Sequence, residues 1–266
     1  MLGIGIGISP LLSRYTGSGY NAVTSDWISR VYSNEGTLTS TEKEAVNTYT
    51  NSIDTDEFDF LAVHGLQNEI AALTPVITTS GSIITNVNST TFTAGEGFTG
   101  NGSTMYLNTN YNPSINGYNF TLNSGCIGVY SRTNEDGSFV DIGLVDDSTN
   151  RAMMFTKFFG SNYVYINNSG DTFHAITNST GLICGVRTNS NTLYSYQNGV
   201  SLGNSSKPAS QLVDGNIFIL AAKVSGVANF FSNKQISLSF VSSGNINQSS
   251  FYTATQTLAT TLGFNV

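Results

Sequence analysis

Chemistry in this chain would have to come from very few acids. Of the glutamates, only Glu96 and Glu135 follow residue 75. Retaining glycoside hydrolysis needs two carboxyl groups about 5 Å apart, which a strand supplies by carrying acids at alternate positions on one face. No Glu-x-Asp-x-Glu strand is present. The nearest acidic stretch is Phe139-Val140-Asp141-Ile142-Gly143-Leu144-Val145-Asp146-Asp147, in which Asp141 and Asp147 stand too far apart for such a pair. His64 and His174 are the two histidines, and neither belongs to a Ser/His/Asp elbow. The residues therefore point away from catalysis.

Two binding chemistries remain. Asp146-Asp147-Ser148-Thr149-Asn150 gathers the oxygen ligands that calcium favours. The same run sits where a hairpin has to turn, and Asp, Ser and Asn are turn residues for reasons of their own. Turn chemistry accounts for the run without a metal, so calcium is the lesser reading and no other cofactor is implied. A sugar site would need an aromatic platform beside amides. Asn162, Tyr163, Tyr165, Asn167 and Asn168 offer one, on alternate faces of a strand. Against this, tyrosine is an ordinary strand residue. Cys126 and Cys184 lie in apolar strand-like runs; they read as two buried thiols rather than a bridge, since no disulfide framework accompanies them.

The N-terminus, Met1-Leu2-Gly3-Ile4-Gly5-Ile6-Gly7-Ile8-Ser9-Pro10, has no basic leader and is cut short by Pro10, so it does not read as a signal peptide. Glycine at alternate positions disfavours helix. As a strand it would present Leu2, Ile4, Ile6 and Ile8 on one side and bare backbone on the other. That pattern suits a docking arm that adds to another protein's sheet or groove; the alternative is a loose terminus.

The elements that would hold these residues separate by composition. Residues 1–20 form the arm and a Gly/Ser connector, 21–75 read as a small helical module, and 76–266 read as β-sandwich with a C-terminal helix. The module holds the single tryptophan, Trp27. Its expected helices start near Thr24 or Ser25, near Ser40 with a capping box at Thr41 and Glu44, and near Thr55 with Phe58, Leu61 and Ala62 on one stripe. A fourth would run over 66–73. Beyond residue 76 helical spacing gives way to alternation. Strands are expected at 90–98, 104–110, 126–133, 139–146, 152–159, 163–167, 182–188, 192–197, 200–203, 217–222 and 235–240. Turn signals separate them; the strongest is Asn198-Gly199, the pair that best tolerates positive φ at both centres of a type I′ hairpin. So many short strands predict a mainly β fold, two antiparallel sheets in a jelly-roll sandwich. Phe251, Ala254, Leu258 and Leu262 mark the final helix, closed by Gly263.

Only 10% of residues are charged, against roughly 25% in an ordinary domain. Asn, Ser, Thr and Gly carry the polarity, as on exposed β proteins. The net charge of −7 with scattered lysines and arginines excludes nucleic acid as the main partner. No apolar run is long enough to span a bilayer.

Residues 90–266 resemble the concanavalin A-like lectin/glucanase superfamily in its laminin-G-like form. The resemblance is carried by Phe98-Thr99-Gly100-Asn101-Gly102-Ser103-Thr104-Met105-Tyr106-Leu107, by Ile127-Gly128-Val129-Tyr130-Ser131-Arg132-Thr133, by the Tyr196-Gln197-Asn198-Gly199-Val200 hairpin and by Asn229-Phe230-Phe231-Ser232-Asn233-Lys234-Gln235-Ile236. With arm and helices included, the whole chain is similar to structural proteins of tailed bacteriophages, especially those infecting Bacteroidetes, the crAss-like group among them. The resemblance implies a fibre, spike or decoration subunit at the virion surface, assembled in the host cytoplasm. It implies docking to capsid or tail proteins through the arm, a homo-oligomer with a trimer favoured, and weak contact with a host glycan. A carbohydrate-binding adhesin is the alternative, and a glycan hydrolase is disfavoured by the missing acids.

Overall fold

A computed structural model describes residues 19–146 and 150–266. The arm residues Leu2, Ile4, Ile6 and Ile8, and Asp147, lie outside the described residues. Five helices are described: α1 (Ala22–Ser33), α2 (Ser40–Ser52), α3 (Glu69–Leu73), α4 (Pro113–Asn116) and α5 (Gln248–Leu262). The strands begin with β1 (Phe58–Val63), β2 (Ile77–Thr78), β3 (Thr85–Val87), β4 (Thr91–Thr93), β5 (Gly97–Thr99) and β6 (Tyr106–Asn108). They continue with β7 (Gly125–Ser131), β8 (Ile142–Val145), β9 (Arg151–Phe158), β10 (Ser161–Asn168), β11 (Phe173–Ala175) and β12 (Gly181–Arg187). The last are β13 (Thr192–Gln197), β14 (Val200–Ser206), β15 (Phe218–Ile219), β16 (Ala222–Val224), β17 (Val227–Asn229) and β18 (Gln235–Ser242).

These strands make the expected two-sheet sandwich. Sheet A runs β14-β13-β12-β7-β18-β1-β2, with β5 paired to β18 and β4 to β5. Sheet B runs β11-β10-β9-β8-β15-β6-β3, with the β16–β17 hairpin joined to β8. Every pairing is antiparallel except β16 with β8. At Asn198-Gly199 both central φ values are positive, 51° and 75°, as a type I′ turn requires.

The main correction falls on 55–65. The expected third helix is a single 3-10 turn, Thr55–Glu57, followed by strand β1, buried at every position and paired with both β18 and β2. Phe-Asp-Phe-Leu-Ala-Val satisfies a helical stripe and a strand buried on both faces equally well, and its long-range partners decide. The capping box of α2 is Thr39 with Glu42, two residues earlier than expected. The expected fourth helix shortens to α3, capped by Asn68. The expected strand at 90–98 is a hairpin of β4 and β5, turned around Gly95.

Helices cover one face of sheet A. Phe251 of α5 packs on Phe58 of β1 and Phe240 of β18, and the α5 residue Gln248 accepts a hydrogen bond from the Cys184 thiol of β12 at 3.1 Å. Both cysteines are buried and free, and the neighbouring Cys126 together with burial pushes the Cys184 thiol up. Tyr49 ties α2 to α5 through Thr255 at 3.1 Å. Trp27, Val46, Phe251 and the inward residues of both sheets share one apolar core. The other face of sheet A meets sheet B closely enough that a β-carbon on Gly185 would overlap the Val164 side chain.

Buried polar groups fix the remaining geometry. Asp59, at a bulge in β1, accepts from the backbone N–H groups of Tyr118, Asn119 and Phe120 (2.8 Å for Phe120) and from the Tyr111 hydroxyl at 2.9 Å. Arg187 of sheet A donates to the Ile166 carbonyl of sheet B at 2.9 Å and to the carbonyls of Asn189, Ser190 and Lys207. Burial lowers its guanidinium to about 10. His64 is fully buried: its Nδ1–H donates to Ala72 O at 2.9 Å, leaving Nε2 to accept from the Ser239 hydroxyl at 2.8 Å.

Two predictions follow from these groups. Burial lowers His64 from 6.5 to about 4, with the Ala72 bond opposing it. Between those values the unfolded chain binds a proton that the folded chain excludes, so stability rises with pH in that window and is lost as pH falls through it. The loss should approach about 3 kcal/mol, and His64→Gln should remove that part of the pH dependence in urea titrations at pH 7 and pH 4.5. Asp59→Ala strands the buried Phe120 amide and Tyr111 hydroxyl, and the part-buried amides of Tyr118 and Asn119, without an acceptor. It should cost upwards of about 3 kcal/mol and raise amide exchange at 118–120.

Candidate functional site

Sheet B has no helix on its outer face among the described residues, and that face is aromatic. The alternation of β9 and β10 turns Met154, Val164 and Ile166 inward and Phe155, Tyr163 and Tyr165 outward; Tyr163 lies opposite Phe155 on β9 and Phe173 on β11. Rings then touch across the strands: Tyr163 stacks on Phe173 at 5.1 Å, and Phe155 contacts Phe158 at 5.5 Å and Phe230 at 6.2 Å. Phe159 continues the cluster from Phe158 at 4.3 Å.

Three of these rings are open to solvent: Phe159 is 81% exposed, Phe173 56% and Phe230 39%. Two are also held in an unfavourable backbone conformation. Phe159 has φ 48° and Phe230 φ 52°, in the left-handed region that a bulky residue rarely occupies. Phe159-Gly160 is the two-residue turn between β9 and β10, a place where Asn-Gly would be at ease. Strain held at a solvent-exposed ring is not explained by packing, and such residues concentrate where a surface makes contact.

A polar corner borders the rings. The Arg151 guanidinium lies 4.9 Å from the centre of the Tyr165 ring and 3.7 Å from Asp171, and the Tyr165 hydroxyl donates to Asp171 at 2.7 Å. Burial, reinforced by the bond to Asp171, pushes the Tyr165 phenol up, so it stays a donor. Aromatic rings beside a carboxylate and a guanidinium can take the C–H face of a sugar and its hydroxyls together.

The expected site residues divide. Tyr163 and Tyr165 join the outer cluster. Asn162 does not: it is fully buried on the inner face, where its side-chain N–H donates to Phe155 O at 2.9 Å. Asn167 and Asn168 are buried too, holding the 121–122 backbone and the turn after β10. Alternation removes Asn162 and Asn168 from any sugar platform, and Asn167, which has the parity of Tyr163 and Tyr165, is turned in by the bulge between Ile166 and Asn168, where its φ is 55°. Asp146 and Asn150 are nearly buried and close the β8–β9 turn on each other: Asp146 N donates to Asn150 O, and Asn150 N to Asp146 Oδ1, both at 3.0 Å. Asn150 also meets the Ser210 hydroxyl. Asp147, Ser148 and Thr149, between Asp146 and Asn150, lie outside the described residues. Among the described residues no three His, Cys, Asp or Glu side chains group as metal ligands.

Sequence reading missed Phe159, Phe173 and Phe230. Phe173 lies on a short edge strand without alternation of its own. Phe159 was legible only as the end of an expected strand, because its turn lacks the Asn that would announce it.

Elsewhere a groove of about 540 Å³ runs between α2 and α5. Thr253, Thr257 and Thr261 on its wall donate their hydroxyls to the carbonyl one turn back. Among the described residues that line it, Glu44 and Tyr49 are the ionisable ones.

No protein-family model matches the chain, and no curated protein matches it in sequence. Solved structures align with parts of it. The NanB sialidase from Streptococcus pneumoniae aligns at 11% identity and TM-score 0.37, over 46% of this chain and 22% of the sialidase. Domain 4 of AbnA, an extracellular arabinanase from Geobacillus stearothermophilus solved with arabinotriose, aligns at 10% and 0.44, over 75% of this chain and 100% of that domain. A Trypanosoma rangeli sialidase aligns at 11% and 0.47, over 79% of this chain and 38% of its own. The chain thus spans about a fifth of the pneumococcal enzyme. All three TM-scores lie below 0.5, and neither fold nor role follows from these likenesses.

The outer rings should separate by role. Phe155→Ala should cost about 3 kcal/mol, because Phe155 is the buried centre of the cluster. Phe159→Asn should instead raise stability by about 1 kcal/mol, as the strained φ is relieved. Chemical denaturation of the two variants checks both signs.

Proposed function

We propose that this chain is a non-catalytic display subunit of a phage virion, a fibre, spike or decoration protein, whose sandwich meets a host glycan with the outer face of sheet B. The observation that carries the binding part is the asymmetry of the sandwich. One outer face is closed by α2 and α5, while the other bears exposed, strained Phe159 and Phe230, with Arg151 and Asp171 toward the opposite end of β9 from Phe159. Nothing in packing requires that arrangement, and an aromatic surface with a polar corner suits weak, multivalent adhesion.

The non-catalytic part is supported by the state of the buried carboxylates. Asp59 is enclosed by protein donors, and Asp141 accepts from Ser232 and Thr156. Both carboxylates are committed to structure. The virion part is supported by the resemblance to phage structural proteins and by the one-sided apolar pattern of Leu2, Ile4, Ile6 and Ile8. In this reading those residues dock to capsid or tail proteins, and the subunit assembles as a homo-oligomer, a trimer by preference.

The test uses polysaccharide from the host surface, immobilised, with the full chain in solution. Wild type should be retained, and a Phe159→Asn, Phe230→Asn double variant should bind about tenfold more weakly or worse without loss of melting temperature. Equal retention of the two proteins, or none by wild type, would remove sheet B from the glycan reading.

A further inference from the structure

Lys234 and Asp141 are both fully buried, with the Lys234 Nζ 3.3 Å from Asp141 Oδ2. The Thr156 hydroxyl lies between them, 2.6 Å from the amine and 2.7 Å from the same carboxylate oxygen. The other oxygen, Oδ1, accepts from the Ser232 hydroxyl at 2.8 Å, and the Thr156 N–H reaches Oδ2 at 2.9 Å. The other ion pairs among the described residues are partly exposed and use arginine. This one alone sets a primary amine against a carboxyl group out of reach of water.

We propose that Lys234 and Asp141 condense to an isopeptide bond, an amide staple between the two sheets. The chain folds with an ammonium and a carboxylate in contact. One proton passes from Nζ through the Thr156 hydroxyl to Oδ2, giving a free amine and a carboxylic acid. The amine lone pair attacks Cγ, and the charge that develops on Oδ1 is met by the Ser232 hydroxyl. A second proton follows the same relay from nitrogen to Oδ2, which leaves as water. The Nζ–Cγ bond forms, the Cγ–Oδ2 bond breaks, and the sum is ammonium plus carboxylate to amide plus water. No oxidant, metal or second substrate is required.

Three physical facts favour the step at this place. The reacting groups are held in contact by the fold, which replaces a bimolecular encounter with an intramolecular one. The hydroxyl bridge is a proton path already in position. Two buried charges, costly to hold away from water, are converted to one neutral amide. Asp141 directly precedes β8 in sheet B and Lys234 directly precedes β18 in sheet A, so the bond would close the sandwich across its layers. The proposal stands independently of the glycan reading.

Purified full-length wild type decides the matter without any variant. Its intact mass should be lower than the sequence mass by one water, and a tryptic digest should contain a branched peptide joining the segments that hold Asp141 and Lys234. Linear peptides for both segments at full intact mass would overturn the proposal. So would a lost water without the branched peptide, which would place the dehydration elsewhere, for example at Asp136-Gly137. Thr156→Val should slow formation severalfold in a time course after refolding, whereas crosslinking as fast as wild type would overturn the relay.

Discussion

The central strands of sheet A are buried on both faces, and strand Phe58–Val63 is what ties that arrangement together. It lies between β18 and β2 in the sheet, every residue of it is buried, and Phe58 meets the α5 ring of Phe251. The segment that carries α1 and α2 therefore enters the sandwich through its own strand. Asp59 at the bulge of that strand then sets the far loop, because Tyr118, Asn119 and Phe120 turn their amides onto its carboxylate. Remove the strand and the helices lose their floor, the loop loses its anchor, and the covered face of sheet A opens.

Covering one sheet leaves the other to face solvent. An antiparallel sheet with one wet face normally alternates apolar inward and polar outward. Sheet B departs from that rule on β9, β10 and β11, where Phe155, Tyr163 and Phe173 line the outer face. The departure is local: on the same face Arg151 and Asp171 restore polarity within a few ångströms. The outer cluster is thus a bounded patch, with buried members Met153, Phe155 and Tyr165 that steady it and exposed members that can make contact.

The sequence made the sandwich legible because its signals are local. Asn198-Gly199 dictates a hairpin, and alternation from Cys126 onward dictates strands, whatever the partners. It could not reveal β1, because Phe58, Leu61 and Ala62 satisfy a helical stripe as well as a buried strand, and only β18 decides between them. The site was half legible for a related reason. Tyr163 was found because tyrosine in an alternating run announces a face. Asn162 is its neighbour in sequence, but alternation sends it to the opposite side of the sheet. Phe230 was visible as a residue, but its place beside Phe155 depends on the β16–β17 hairpin folding back to β8.

The strained phenylalanines bear on what the patch is for. Asparagine or glycine at 159 would relieve a backbone cost of about 1–3 kcal/mol, and the ring at that position packs mainly against Phe158 while most of its surface stays wet. A fold under pressure only to be stable would exchange such a residue. The same argument applies separately at Phe230, whose φ is 52° on another loop. Two independent turns hold an unfavourable conformation and present their aromatic side chains to one face of one sheet. Stability alone gives no reason for that coincidence, whereas a ligand that must meet both rings does.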